Sequence, residues 1–93
     1  MKKTKILIPV YNDWKSVFTL LVNIDKELNG WDADVSVIII NDASTEKNPN
    51  FSYGFLNLKS IKVINMRENK GHARCNATGL KYIVENEDFD FVI

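Results

Sequence analysis

Three short polar segments of the sequence could bind a ligand, because each lies next to an apolar or helical segment. Residues 11–13 (YND) follow the apolar run 6–10, and residues 41–44 (NDAS) follow the apolar run 35–40. A third segment, residues 69–72 (NKGH), precedes a helical pattern. Open α/β sheets bind ligands at the carboxyl ends of their strands, so this arrangement predicts a binding site.

Asp42 and Tyr11 have the chemistry to recognise a flat polar ligand. A carboxylate can accept two hydrogen bonds in a fixed direction, which suits a nucleobase imide or a ribose hydroxyl, and such a bond contributes about 1.5–3 kcal/mol. A tyrosine ring can stack on a base for about 1–3 kcal/mol. Asn41, Asp42 and Ser44 equally suit a turn that caps the next segment, and Tyr11 equally suits an ordinary strand end. The residues alone leave both interpretations open.

The third segment has the features of an anion site at a helix start. Gly71 supplies a turn before the helix, whose free N–H groups and dipole favour a phosphate. Lys70 and Arg74 add positive charge there, although both side chains could simply be solvated. We interpret His72 as an exposed loop histidine, because it has no His, Cys or carboxylate partner at the spacing of metal ligands. We interpret Cys75 as a core thiol, because it lies among apolar helix positions.

Composition and missing motifs exclude several classes of protein. The 93 residues suit one domain with a modest core. The 12 basic and 12 acidic residues balance, so the sequence lacks the excess of positive charge that is typical of nucleic-acid-binding proteins. The longest apolar runs, about six residues, are far below the roughly 20 of a membrane span. The sequence has no Gly-x-Gly-x-x-Gly, Walker-type or Gly-x-Ser-x-Gly motif. With no signal peptide and the single Cys75, we expect a cytoplasmic location.

The elements that would position the polar segments follow from hydrophobic spacing. Residues 43–58 read as a loop with short helical turns, and Pro9 belongs near the end of the first strand. Predicted strands cover residues 5–10, 35–40, 61–66 and 89–93. The order β-α-β-loop-β-α-β with right-handed crossovers predicts a doubly wound parallel sheet. Placing the third, more exposed strand at an edge gives the spatial order 3-2-1-4.

Two amphipathic helices connect these strands. The first starts at an Asp13 N-cap, stops at Gly30, and has as its apolar face Trp14, Val17, Phe18, Leu21, Ile24 and Leu28. The second covers residues 72–86, and its predicted apolar face is Ala73, Ala77, Leu80, Ile83 and Val84. Asp88 and Asp90 precede the fourth strand, so we expect them at the opposite rim of the sheet and assign them no metal.

In order and spacing, the three segments resemble the amino-terminal half of a family 2 glycosyltransferase of the GT-A fold. The matching stretches are IPVYN at 8–12, INDAST at 40–45 and NKGHARCNATGL at 69–80. The resemblance covers nearly the whole chain and is poorest between residues 47 and 60. It implies a Rossmann-like sheet and transfer of a sugar from a nucleotide-diphosphate donor, most often a UDP-sugar. The acceptor would be a carbohydrate, a lipid or a polyprenyl phosphate.

The resemblance also implies roles for individual residues. Pro9 and Tyr11 match residues that line the base pocket, Asp42 matches the acidic residue that hydrogen-bonds the base, and the segment 69–74 matches the loop beside the nucleotide. The nucleotide-binding residues that we predict are Pro9, Tyr11, Asp42, Ser44, Lys70, Gly71 and Arg74.

The sequence departs from the family pattern in three places. Asn41 stands where an aspartate is usual, and Ala43 replaces a common glycine, which makes that turn less permissive. The resemblance implies an Asp-x-Asp motif directly after the fourth strand, whose aspartates hold a divalent Mg or Mn ion, and residues 1–93 do not include that motif. We therefore expect residues 1–93 to be one nucleotide-sugar-binding domain that is truncated before the metal motif and lacks a catalytic base. By itself it would be inactive, and the full-length enzyme would act in the cytoplasm or at the inner face of the membrane.

A second hypothesis comes from a different class of protein. The chain could be a noncatalytic α/β interaction module that self-associates. Residues 89–93 would then pair with a second copy, because they otherwise leave an apolar sheet edge in water.

Overall fold

The computed structural model describes residues 2–47 and 54–93. Its element order is β1 (Lys3–Val10), α1 (Trp14–Glu27), β2 (Asp34–Asn41), β3 (Leu58–Asn65), α2 (His72–Asn86) and β4 (Phe91–Val92). The four strands are parallel and lie in the order β3-β2-β1-β4, which confirms the predicted topology and the edge position of β3. Neither helix in the described ranges is long and apolar enough to cross a membrane.

β2 is the buried strand at the centre of this sheet. Its side chains alternate between two cores, which explains the uninterrupted apolar run at residues 37–40. The core on the α1 side of the sheet contains Val10, Trp14, Val17, Leu21, Val35, Val37, Ile39 and Leu58. The core on the α2 side contains Ile38, Ile40, Cys75 and Ile83. The two helices therefore cover opposite faces of the sheet, as the doubly wound prediction required.

α2 has the predicted bounds but presents a different face to the sheet. Its buried residues are Cys75, Gly79 and Ile83. The prediction that Leu80 and Val84 are core residues is wrong, because their side chains are 45% and 68% exposed, and Ala73 and Ala77 are exposed as well. The physical reason is close packing: a Cβ at Gly79 would lie 2.3 Å from Leu7 Cδ1. Small residues let the helix backbone approach the sheet there.

β3 begins three residues earlier than predicted because α1 binds its first amides. The carboxylate of Asp25 accepts hydrogen bonds from the N–H groups of Leu56, Asn57 and Leu58 at 3.2, 2.8 and 2.9 Å. Burial raises the pKa of Asp25, but these N–H bonds outweigh it and hold the pKa below its ordinary value. Residues 43–47 and 54–57 contain bends and no helical turn. The rest of the predicted loop, residues 48–53, lies outside the described residues.

β4 is short, and its amino end lies at the rim opposite the polar segments, as predicted. Lys3 contacts both aspartates there: its amide donates to Asp90 Oδ2 at 2.7 Å, and its ammonium pairs with Asp88. Phe91 and Ile93 are 54% and 75% exposed on this edge strand. Self-association through this edge stays a prediction.

Candidate functional site

The three polar segments converge at the carboxyl edge of the sheet. Val10 ends β1 opposite Asn41, which ends β2 opposite Asn65 of β3. Just past the strands, the amide of Asp42 donates to the Val10 carbonyl and the amide of Met66 donates to the Asn41 carbonyl, both at 2.8 Å. The side chains that follow β1 and β2 are therefore neighbours, although about 30 residues separate them in sequence.

A cavity of about 340 Å³ opens at this edge between β1, α1 and the start of α2. Its lining residues are Pro9, Val10, Tyr11, Asp13, Ser16, Val17, Leu20 and His72. Tyr11 is 44% exposed, so part of this residue is accessible to a ligand in the cavity. The volume falls in the range of small-molecule sites, roughly 300–1,000 Å³. Apolar walls with a few polar groups suit a flat heterocycle.

Asp42 lies behind this cavity and binds the loop before α2. Its side chain is 1% exposed, and it accepts hydrogen bonds from the amides of Lys70 at 2.7 Å and Gly71 at 2.8 Å. The Lys70 N–H is the main cause that lowers the pKa of Asp42, and the Gly71 N–H, the Cys75 thiol and His72 act in the same direction against burial. Asp42 is therefore an ionised acceptor that holds the Lys70-Gly71 backbone in place.

Gly71 has the backbone geometry that this loop needs. Its φ of +86° lies in the left-handed region that glycine adopts without a steric cost. The Lys70 ammonium pairs with Glu68 at 2.6 Å, and Arg74 is exposed in the first turn of α2. Helix α2 carries no acidic residue in that first turn. The start of α2 thus combines free amide donors with basic side chains.

Ser44 lies in a hydrogen-bonded turn next to the cavity. Its Oγ accepts from the amide of Asn12 at 2.8 Å, and its own amide donates to Asn41 Oδ1 at 3.1 Å. The structure thus places the predicted site residues in two adjoining groups. Pro9 and Tyr11 line the cavity, whereas Asp42, Ser44, Lys70 and Gly71 belong to the backbone framework beside it. Arg74, the seventh predicted residue, is exposed in the first turn of α2 and joins neither group.

Comparison with known protein families decides the classification. The sequence model of Glycosyl transferase family 2 matches residues 5–86, which include all three polar segments. The chain belongs to glycosyl transferase family 2. The four-stranded parallel sheet and its strand order agree with the amino-terminal half of the GT-A fold. Searches of curated proteins and of solved structures found no match.

Six residues line the cavity of this family 2 domain without being among the predicted nucleotide-binding residues: Val10, Asp13, Ser16, Val17, Leu20 and His72. Asp13 and His72 do lie in the polar segments 11–13 and 69–72 that were predicted to bind a ligand. Asp13 does occupy the predicted N-cap position, but its side chain makes no capping hydrogen bond. Positions 13, 16 and 20 recur at helical spacing directly after Tyr11, which is a signal that could have identified one wall. His72 is the first residue of α2 rather than a loop residue, and only the folded chain brings it to β1.

The divalent metal implied by the family resemblance has no set of ligands in the described part of the chain. Residues 2–47 and 54–93 contain no group of three His, Cys, Asp or Glu side chains that could hold a metal ion. Asp88 and Asp90 have the spacing of an Asp-x-Asp pair, but they lie at the opposite rim and contact Lys3. The residues present do not fit the family's metal.

Proposed function

We propose that residues 1–93 form one domain that binds the nucleotide part of a nucleotide-diphosphate sugar, with a UDP-sugar as the donor. In an enzyme that contains this domain, the sugar would pass to a carbohydrate, lipid or polyprenyl-phosphate acceptor. The observation that carries the proposal is the Tyr11 cavity, which lies at the carboxyl edge of β1 beside the amino end of α2. Membership of glycosyl transferase family 2 supports it.

In this proposal the base occupies the cavity. The ring of Tyr11 would stack on the base, while Pro9 and Leu20 supply apolar contact. Asp13 is an exposed carboxylate in the same wall and can accept a hydrogen bond from the ligand. Asp42 contributes through the Lys70-Gly71 loop that it holds, and its predicted bond to the base stays a prediction.

The diphosphate would lie at the start of α2. An α-helix leaves its first N–H groups without helical partners, which are those of residues 72–74 here. The helix dipole and the nearby Arg74 favour a negative charge at that position, and Lys70, whose ammonium pairs with Glu68, lies beside it. Ser44 bonds to the amide of Asn12, in the turn between the cavity residues Tyr11 and Asp13.

Calorimetry with UDP and GDP tests the proposal. We expect the wild-type domain to bind UDP, and we expect Tyr11→Ala to weaken the affinity by about 10-fold to 100-fold because the stacking partner is lost. Tyr11→Phe keeps the ring and should remain within about threefold of wild type. Trp31→Ala is the matched control, since Trp31 is a 74% exposed aromatic residue that does not line the cavity.

Two results would count against this function. If the folded wild-type domain binds neither UDP nor GDP, the nucleotide proposal fails. If Tyr11→Ala and Trp31→Ala change UDP affinity equally, the Tyr11 cavity is not the base site.

A further inference from the structure

Asn12 lies between two cavity residues, Tyr11 and Asp13, but does not itself line the cavity. Its backbone φ is +61°, in the left-handed region. Few non-glycine residues adopt this conformation, and asparagine is one of those that tolerate it best. The chain thus changes direction at Asn12, just where β1 ends and the wall of the cavity begins.

Both ends of the Asn12 side chain bind the loop that follows β2. Nδ2 donates to Thr45 Oγ1 at 3.1 Å, and Oδ1 accepts from the amide of Glu46 at 3.0 Å. The Thr45 hydroxyl also lies 3.3 Å from Oδ1. The Asn12 amide adds a bond to Ser44 Oγ at 2.8 Å. A single residue after β1 is therefore hydrogen-bonded to three consecutive residues after β2.

Asparagine meets both requirements, the conformation and the bonding, more fully than glycine, alanine or aspartate. Glycine adopts a positive φ but has no side chain to bind the loop, and alanine lacks both properties. Ionised aspartate tolerates the conformation and can accept hydrogen bonds, but it has no N–H donor for Thr45. The Thr45 hydroxyl can instead donate to a carboxylate, so aspartate preserves most of the arrangement.

We propose that Asn12 is a positioning residue of the donor site. It fixes the end of β1 against residues 44–46 and so orients Tyr11 for stacking, without contacting the nucleotide. This inference rests on the proposed function, because it concerns how the same site is held in its binding conformation.

Three substitutions of Asn12 separate its backbone role from its side-chain role. Asn12→Asp should bind UDP within about threefold of wild type, because the carboxylate still accepts from Glu46 and Thr45. Asn12→Gly should weaken UDP binding by about tenfold, since the conformation remains but the bonds to the loop are lost. Asn12→Ala should bind at least as weakly as Asn12→Gly. Each affinity is measured by calorimetry at a temperature where circular dichroism shows the variant to be folded.

A double variant tests whether Asn12 acts through Tyr11. If it does, Asn12→Gly should weaken UDP binding much less in a Tyr11→Ala background than in wild type. A purely structural role would lower the melting temperature of Asn12→Gly and leave the affinity of the folded variant unchanged. Asn29→Gly is the control, because Asn29 is exposed in the turn after α1.

The outcomes distinguish failure of the positioning role from failure of the proposed nucleotide binding. Wild-type protein that binds neither UDP nor GDP removes the proposed function. Two results would overturn the positioning role alone, provided that the wild-type protein binds UDP. In the first, Asn12→Gly binds UDP as tightly as wild type. In the second, the losses of UDP affinity caused by Asn12→Gly and Tyr11→Ala simply add in the double variant. If Asn12→Ala does not fold, Asn12→Gly and Asn12→Asp still decide the question.

Discussion

At the scale of single residues, the two turns of the site are both held in an uncommon backbone conformation. Asn12 and Ala43 are the non-glycine residues with positive φ in the described ranges, at +61° and +57°. Ala43 lies directly between Asp42 and Ser44, at the position where the family resemblance implies glycine. Alanine in the left-handed region costs about 1–2 kcal/mol. The turn that carries Asp42 is therefore strained in this chain.

Ala43→Gly should raise the free energy of unfolding by about 0.5–1 kcal/mol, because the relief of strain exceeds the extra entropy that glycine loses on folding. Urea unfolding measures the change. Ala77→Gly is the matched control, since Ala77 is exposed in the interior of α2, and it should lower the free energy by about 1 kcal/mol. Equal destabilisation by both substitutions would contradict the left-handed conformation of Ala43.

Asn41, which stands where the family resemblance implies an aspartate, makes two side-chain hydrogen bonds at the end of β2. Its Nδ2 donates to Asn65 Oδ1 at 2.9 Å, and its Oδ1 accepts from the amide of Ser44 at 3.1 Å. An ionised aspartate has no N–H donor, so it would keep the contact with Asn65 only if the Asn65 amide rotated to donate its Nδ2. The amide thus ties the end of β2 both to β3 and to its own turn.

At the scale of elements, the hydrophobic pattern of α2 determined the bounds of the helix but not its buried face. The spacing of apolar residues predicted its bounds to the residue, since both helix position and length follow from local periodicity. The pattern did not identify the buried face, because α2 has two candidate stripes. Leu80 and Val84 of the predicted stripe are exposed, whereas Ile83 of that stripe packs on the sheet together with Cys75 and Gly79.

Two adjacent apolar residues of α2 test this assignment. Ile83 is completely buried and Val84 is 68% exposed. We expect Ile83→Ala to lower the free energy of unfolding by about 2–5 kcal/mol, since it removes core contacts and leaves a cavity. Val84→Ala should change it by no more than about 0.5 kcal/mol, because it alters exposed surface on a helix that favours alanine. Urea unfolding measures both changes. If Val84→Ala lowered the free energy of unfolding more than Ile83→Ala, the result would contradict the structure.

The start of β3 is likewise a tertiary feature. Residues 56–58 are not strongly patterned, and their amides are bound by Asp25, which lies 31 to 33 residues earlier. Sequence periodicity contains no information about such a contact. The predicted strand consequently began at residue 61, where alternation becomes visible.

At the scale of the whole molecule, ionisable groups limit stability at both ends of the pH range. The pKa values of Asp25, Asp42 and Glu87 lie below their ordinary values, with amide hydrogen bonds at the two aspartates and Lys62 at Glu87 as the stabilising partners. A carboxyl group whose pKa is lower in the folded state stabilises the protein above its unfolded pKa. That stabilisation is lost as the pH falls through the folded pKa. Stability should therefore decrease below about pH 4.

The buried thiol of Cys75 acts in the opposite range. Burial is the main cause that raises its pKa from 9.0 to about 11, with the neighbouring Asp42 adding to the effect. When the pKa of a group is higher in the folded state than in the unfolded state, its stabilising contribution is complete at pH values below the unfolded-state pKa. That contribution is lost as the pH rises through the folded-state pKa. We expect the melting temperature to be highest between about pH 5 and 9 and to fall between about pH 9 and 11.

Melting curves across this range measure both effects. Cys75→Ala should lower stability at pH 7 because it removes a buried side chain, but it should flatten the decline between about pH 9 and 10. Above that range the decline remains, because the raised pKa values of Lys3 and Lys62 indicate pairings that are lost as these lysines deprotonate. An unchanged alkaline slope in Cys75→Ala would show that the thiol does not cause it.

The sequence by itself determined the elements of this protein, their parallel order 3-2-1-4, and the family resemblance that the match over residues 5–86 confirms. These features depend on local periodicity and on motifs a few residues long. Only the tertiary structure decided which distant groups surround the site: Asp42 accepts hydrogen bonds from the Lys70-Gly71 loop, and His72 lies with Tyr11 at the cavity. The reason is that these contacts join residues about 30 to 60 positions apart, whose distance depends on how the helices pack against the sheet.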